Sequence, residues 1–138
     1  MALKLEFVDA SDGTKYKATI QMTGRLSFNS EAAKFMKLTK MPHFKVAFER
    51  DNVNFKIYLV ESEETDTTAK IYRAGNYYYL RLEKPLRKYS VDFQSISYTF
   101  TIEKFDEQID GADVFELTKY KQAYRGDVDD DEDEDEEE

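Results

Sequence analysis

The sequence predicts a mainly β domain, a small barrel or sandwich, followed by an acidic tail. Apolar and polar residues alternate along most of 1–126, which is typical of half-buried strands. The last twelve residues hold 11 acidic side chains and no basic one. Such a block repels itself and buries no apolar surface. We therefore expect a single domain over 1–126 and a disordered tail over 127–138.

Five stretches show the alternation clearly, and each predicts a strand with one face in the core. Asp51-Asn52 signals a turn between the second and third of them, and Asp12-Gly13 signals an early hairpin. The predicted inward stripes are Tyr16, Ala18, Ile20 and Met22; Phe44, Val46 and Phe48; Phe55, Ile57 and Leu59; Ile96, Tyr98, Phe100 and Ile102; and Phe115 with Leu117.

Two stretches break the alternation and predict helical structure. The first is a short helix over about 30–38, with Asn29 or Ser30 as its N-cap. The second is a helical turn near 84–89, which Pro85 would open at its first position. Between the two, residues 61–68 predict a flexible connector.

The same order of elements occurs twice in the chain. Each half shows a strand, a glycine, a second strand, a helical stretch and a third strand. A repeat of this length predicts half-repeats over 1–60 and 69–120 that are related by a pseudo-two-fold axis.

Charge along the chain is segregated. The tail takes 11 of the 29 acidic residues and leaves 18 against 20 Lys and Arg, so residues 1–126 are slightly basic. Residues 24–50 carry a net charge of +4 and residues 70–88 a net charge of +5. Bands of this kind can form the one-signed patch that nucleic-acid binding requires.

The residues that enzymes and cofactor sites need are scarce. The chain has no Cys, one His and five Gly, which excludes disulfides and thiolate metal sites and leaves no phosphate-binding glycine loop. We expect no enzymatic activity, no cofactor, no metal site, and a structural role for His43. The N-terminus has no signal-peptide pattern, and no apolar run approaches the roughly 20 residues that span a bilayer. We expect a soluble, cytoplasmic protein with no membrane partner.

Three consecutive tyrosines, Tyr77 to Tyr79, begin the stretch "YYYLRL". On a strand, Tyr77, Tyr79 and Arg81 share the face opposite to the core. Tyr58 likewise shares a face with Lys56, and Tyr72 with Lys70. Rows of rings and cations are typical of single-stranded nucleic-acid binders, in which bases stack on the rings. Two alternatives stay open: ordinary strand residues, since tyrosine favours strands, and a protein-binding patch.

Residues 23–59, "TGRLSFNSEAAKFMKLTKMPHFKVAFERDNVNFKIYL", resemble the AbrB/MazE-type swapped-hairpin DNA-binding fold. Residues 74–103 resemble a second, looser copy. The resemblance implies that two such units pair within one chain. It also implies DNA contacts by Arg25, Lys34 and Lys37 in the first copy, and by Arg81, Lys84, Arg87 and Lys88 in the second.

An aromatic-rich β domain followed by an acidic tail is similar to the layout of phage and bacterial single-stranded DNA-binding proteins. That resemblance implies a tail that competes with DNA and also recruits a partner. The tail residues concerned are Asp127, Asp129, Asp130, Asp131, Glu132, Asp133, Glu134 and Asp135.

The leading hypothesis is a non-enzymatic DNA-binding protein that prefers single strands and carries a competing acidic tail. The first alternative is an AbrB-like double-stranded DNA regulator. The second is a structural or adaptor protein of a virion or other assembly, whose tail binds a basic protein partner. Assembly into a homo-oligomer is compatible with all three. The candidate nucleic-acid-binding residues are Arg25, Lys34, Lys37, Lys56, Tyr58, Arg73, Tyr77, Tyr79, Arg81, Lys84, Arg87 and Lys88.

Overall fold

Eight antiparallel strands form the framework of the residues that the computed structural model describes, 3–6, 15–51 and 53–125. The hairpin predicted at Asp12-Gly13 and the tail over 127–138 lie outside these residues. The strands are β1 Lys17–Ile20, β2 Arg25–Phe28, β3 His43–Arg50, β4 Phe55–Ser62, β5 Ala69–Ala74, β6 Tyr77–Arg81, β7 Ile96–Lys104 and β8 Val114–Tyr124.

The strands close into a barrel in the order β1-β2-β6-β5-β3-β4-β8-β7, and β7 pairs back to β1. The predicted mainly β fold is therefore confirmed, and of the two expected architectures the barrel is correct. Closure pairs strands on both sides, which protects backbone donors and acceptors that an open sheet would expose at its edges.

The barrel has an internal two-fold relation in its topology. Each half supplies two strands, a short helix and two more strands. Exchanging β1–β4 with β5–β8 leaves every neighbour in the barrel order unchanged. The axis of this relation passes between β2 and β6 on one wall and between β4 and β8 on the opposite wall.

Two six-residue helices lie at opposite ends of the barrel. Helix α1, Ser30–Phe35, follows β2, and helix α2, Glu83–Lys88, follows β6. Because β2 and β6 pair antiparallel, the chain leaves them at opposite ends. Leu38, which follows α1, and Leu86 of α2 are fully buried. Among the described residues, no helix is long and apolar enough to cross a membrane.

Asn29 fixes the start of α1. Its Oδ1 accepts hydrogen bonds from the backbone N–H groups of Ala32 (2.8 Å) and Lys17 (3.2 Å). Its Nδ2 donates to the carbonyl of Lys15 (3.0 Å). The N-cap therefore also ties the helix to the beginning of β1.

Both helices differ in detail from the sequence expectation. Helix α1 ends at Phe35, and Lys37 adopts a left-handed conformation (φ 58) before a short 3-10 turn at Leu38–Lys40. Helix α2 begins at Glu83, so Pro85 occupies its third position rather than its first. Proline is tolerated there because the first four N–H groups of a helix have no intrahelical partner.

The predicted stripes face the interior, with one exception. Ile20, Phe44, Ile57 and Phe100 are fully buried. Met22 is 57% exposed because β1 ends at Ile20, which leaves Met22 in the turn before β2. In the sequence the alternation of apolar and polar residues continues to Met22, whereas in the structure the strand ends at Ile20.

Gly24 connects β1 to β2 at a point where another segment comes very close. Its φ is +87, and an added Cβ would lie 2.7 Å from Glu83 Cβ and 2.8 Å from Glu83 Cα. Its carbonyl accepts a hydrogen bond from the backbone N–H of Leu82 (3.0 Å). The residue therefore joins the β1–β2 turn to the start of α2.

We expect Gly24→Ala to lower the free energy of unfolding by about 2 to 4 kcal/mol, from left-handed strain and from the clash with Glu83. Gly75→Ala is the matched control. Gly75 also has a positive φ (+59), but its Cβ would meet nothing within 4 Å, so only about 1 kcal/mol of strain is expected. Urea denaturation of both variants measures the difference, and equal losses would contradict the close contact with Glu83.

Candidate nucleic-acid interface

The outer surface of β2, β6 and β5 collects aromatic and basic side chains. Arg25 on β2 lies directly opposite Arg81 on β6, and Tyr79 on β6 lies opposite Tyr72 on β5. Alternation along each strand adds Tyr77 to the same surface, and Lys70 too. We call this surface the tyrosine–arginine face: Arg25, Lys70, Tyr72, Tyr77, Tyr79 and Arg81.

Guanidinium groups stack on two of its rings. The Arg25 guanidinium carbon lies 4.2 Å from the centre of the Tyr79 ring, and that of Arg81 lies 4.0 Å from the centre of the Tyr72 ring. The two rings are nearly parallel, with centres 5.6 Å apart and planes inclined by 19°. Lys70 Nζ lies 5.6 Å from the Tyr72 ring. Ring faces attract cations, so this packing holds the two arginines in place.

Tyr79 points outward, as its position in the strand predicts, yet only 5% of its surface is exposed. Its cover comes from the neighbours on the same face: Arg25, Tyr72 and Tyr77, whose ring centre is 5.9 Å away. Tyr79 therefore lies on the outer face but offers little ring surface to solvent. Tyr72 and Tyr77 keep part of their surface open to solvent.

The positive charges of this face have no acidic partner among residues 15–51 and 53–125. Arg25, Arg81 and Lys70 make no ion pair there, and neither guanidinium donates a hydrogen bond. Two like charges directly opposite each other disfavour strand pairing. The rings offset this cost, and among the described residues the N–H edges of both guanidiniums have no partner. Planar donor edges of this kind can bind carboxylate or phosphate oxygens.

Arg73 does not belong to the tyrosine–arginine face. It has the same parity on β5 as the buried Ile71, and it is exposed near the end of that strand. Its Nε donates to the carbonyl of Gly75 (3.1 Å), and its guanidinium carbon lies 5.6 Å from the Tyr78 ring. Arg73 is one of the candidate nucleic-acid-binding residues, and it lies beside the turn that precedes Tyr77.

Lys56 and Tyr58 lie on a different part of the wall. Strand β3 separates their strand, β4, from β5. Lys56 Nζ is 2.8 Å from Glu116 Oε2, and the Tyr58 hydroxyl donates toward Glu49 Oε1 (2.9 Å) and Glu116 Oε2 (3.2 Å). Both predicted residues are thus engaged with carboxylates, which repel phosphate.

This acidic environment changes the ionisation of both groups. Burial, followed by the hydrogen bond to Glu49 and the charge of Glu116, raises the pKa of Tyr58 from 10.0 to about 12. The hydrogen bond and the charge of Glu116 raise the pKa of Lys56. Carboxylates thus keep Lys56 protonated and Tyr58 neutral.

The remaining basic candidates form two groups at opposite ends of the barrel. Lys34 and Lys37 lie in α1 and just after it, whereas Lys84, Arg87 and Lys88 lie in α2. Arg87 pairs with Glu83 within α2 (3.1 Å). The fold therefore does not bring together the basic set that the AbrB resemblance implies.

Sequence reasoning left three neighbours of this surface out of the candidate set. Lys70 and Tyr72 join it through the register of β5 with β6, which no local pattern reveals. The third is Arg125, which donates to the carbonyls of Phe93 (2.8 and 3.0 Å) and Ile20 (3.1 Å). Gln21, the residue after Ile20, donates its backbone N–H to the carbonyl of Arg25 (2.8 Å). Because Arg125 contacts Ile20, the end of β8 therefore lies beside the start of β2.

Neither a metal site among the described residues nor a match to a known protein helps to identify the function. The described part of the chain contains no group of three acidic or histidine side chains that could hold a metal ion. His43 Nε2 lies 4.0 Å from Glu64, and its Nδ1 is buried without a hydrogen-bond partner within that part. Comparison with protein-family models, with curated proteins and with solved structures finds no match for the chain.

We expect the free energy of unfolding to fall as pH rises from 10 toward 12, and to fall less in Tyr58→Phe. The folded state holds the Tyr58 proton up to a pKa of about 12, whereas the unfolded chain loses it near 10.0. The unfolded state thus binds fewer protons across this window, and stability declines. Urea titrations of both proteins at several pH values measure the effect. Parallel pH profiles would contradict the raised pKa.

Proposed function

We propose that the protein is a non-enzymatic DNA-binding protein that prefers single strands and binds them on the tyrosine–arginine face. The observation that carries this proposal is the pair of stacked guanidiniums whose N–H edges have no partner among the described residues. Ring-stacked arginines are held in place before a ligand arrives, so binding orders fewer side chains.

The chemistry of the face matches a phosphodiester strand. Arg25 and Arg81 offer planar donor edges to phosphate oxygens, and Lys70 adds a third positive charge. Partly exposed tyrosine rings beside these cations provide apolar surface for unpaired bases. Neutralising phosphates releases counterions, so binding should weaken as salt rises.

The shape of the surface favours single strands over a duplex. Readers of duplex DNA commonly insert a helix or a β-ribbon into the major groove. Here both helices have six residues, and the basic residues associated with them lie at opposite ends of the barrel. A single strand can follow the curved outer wall, because its backbone is flexible and its bases are unpaired.

The acidic tail is proposed to compete with DNA for this face. Arg125 fixes the end of β8 next to Ile20, and β1 pairs with the strand that carries Arg25. Twelve further residues reach about 40 Å when extended, which exceeds the distance between neighbouring strands severalfold. The 11 carboxylates of the tail offer the charge that the face lacks. Recruitment of a basic protein partner by the same segment stays a second proposal for the tail.

We expect Arg25→Gln with Arg81→Gln to weaken binding of a labelled single-stranded oligonucleotide by at least tenfold, because two charge-assisted contacts to phosphate are lost. The slope of log affinity against log salt should fall by about 1.4. Fluorescence anisotropy at several salt concentrations measures both values.

Lys34→Gln with Lys37→Gln is the matched control, since it also removes two positive charges but at the α1 end of the barrel. Affinity close to that of the unmodified protein is expected. If the double lysine variant weakens duplex binding while the double arginine variant has no effect, the result supports the AbrB-like hypothesis and contradicts the present proposal.

We expect a chain ending at Gly126 to bind single-stranded oligonucleotides more tightly than the full chain at low salt, with a difference that shrinks as salt screens the tail. A full-length variant with Asn and Gln in place of the tail acids separates charge from length and should behave like the truncated chain. Equal binding by all three would contradict competition. If none of the three proteins binds DNA, the DNA-binding proposal fails and the structural or adaptor hypothesis remains.

A further inference from the structure

The three rings of the tyrosine–arginine face are not equivalent. Tyr79 carries Arg25 and Tyr72 carries Arg81, at 4.2 and 4.0 Å. Within the described part of the chain, no cation lies over the ring of Tyr77. The face thus contains two rings engaged with guanidiniums and one that is not.

Tyr79 and Tyr72 have little ring surface left for a base. Tyr79 is 5% exposed, and a base could reach it only by displacing Arg25 or a neighbouring ring. Tyr72 packs against Tyr79 on one side and also holds Arg81 and Lys70. Displacing a guanidinium would remove the phosphate contact that the proposed function requires.

Tyr77 is partly exposed at the edge of the tyrosine–arginine face. It begins β6 opposite the small side chain of Ala74, after the turn formed by Gly75 and Asn76. A Cβ placed on Gly75 would meet nothing within 4 Å. Arg73, which lies outside the tyrosine–arginine face, is held beside the same turn through its hydrogen bond to the Gly75 carbonyl (3.1 Å).

We infer that the tyrosines divide two tasks: Tyr72 and Tyr79 are positioning residues for the arginines, and Tyr77 is the ring on which a base stacks. The inference rests on the proposed function, and it assigns the preference for single strands to Tyr77. In a duplex both faces of each base are stacked within the helix, so only an unpaired base can lie on this ring.

We expect Tyr77→Ala in the full chain to weaken binding of a single-stranded oligonucleotide roughly 5- to 150-fold, which corresponds to about 1–3 kcal/mol per stacked base. Duplex affinity and the salt slope should stay unchanged, since no phosphate contact is lost. Tyr77→Phe should restore single-strand binding because it keeps the ring. An oligonucleotide of abasic nucleotides should bind the unmodified protein and Tyr77→Ala equally.

Tyr72→Leu is the contrasting variant, and it should weaken single-strand and duplex binding by similar factors because it releases Arg81. Unfolding midpoints in urea show whether each variant keeps its fold. If the unmodified protein binds no oligonucleotide, the proposed function itself fails. If it binds but Tyr77→Ala affects single strands and duplexes equally, or neither, the division of tasks is wrong while the proposed function stands.

Discussion

The antiparallel pairing of β2 with β6 is the constraint on which most of this structure depends. It joins the two halves of the chain on one wall of the barrel and buries Leu26 against Leu80 inside. It sends α1 and α2 to opposite ends. It also sets Arg25 directly opposite Arg81 on the outside, where two positive charges face each other without an acidic partner among the described residues. The tyrosine–arginine face therefore results from strand pairing, and no local sequence motif specifies it.

Packing of the arginines on rings explains how such a pair persists in a folded protein. Like charges opposite each other are destabilising in a sheet, and a carboxylate between them would be the usual remedy. Here Tyr79 and Tyr72 supply the favourable contact instead. Ring faces lower the energy of a cation without using its N–H donors. The charge is thus accommodated while the N–H donors of both guanidiniums have no partner among the described residues.

The sequence predicts the strands and the direction of their side chains well, because alternation is a local property. Tyr78, Leu80 and Leu82 are buried, and Tyr77 and Tyr79 lie on the outer face, as expected. Alternation carries no information about neighbours across the barrel. It predicts that Tyr72 and Lys70 share a face but not that this face adjoins Tyr79, and it groups Lys56 and Tyr58 with a surface from which β3 separates them. Met22 shows the other limit, since a periodic pattern does not mark where a strand ends.

Lys56 and Arg25 illustrate why a cation beside a tyrosine is insufficient to indicate a ligand site. Both follow the same outward pattern on a strand, but Lys56 lies 2.8 Å from Glu116 and close to the carboxylates that surround Tyr58. Those carboxylates belong to strands that pair with β4, so the barrel itself holds them beside the cation. No carboxylate of the described residues pairs with Arg25 or Arg81, and the acidic tail is the segment that we propose to supply one. A polyanion can displace a tethered segment, but it cannot displace a residue of a strand that is part of the barrel. The proposed binding surface is therefore the one whose cations have no acidic partner among the described residues.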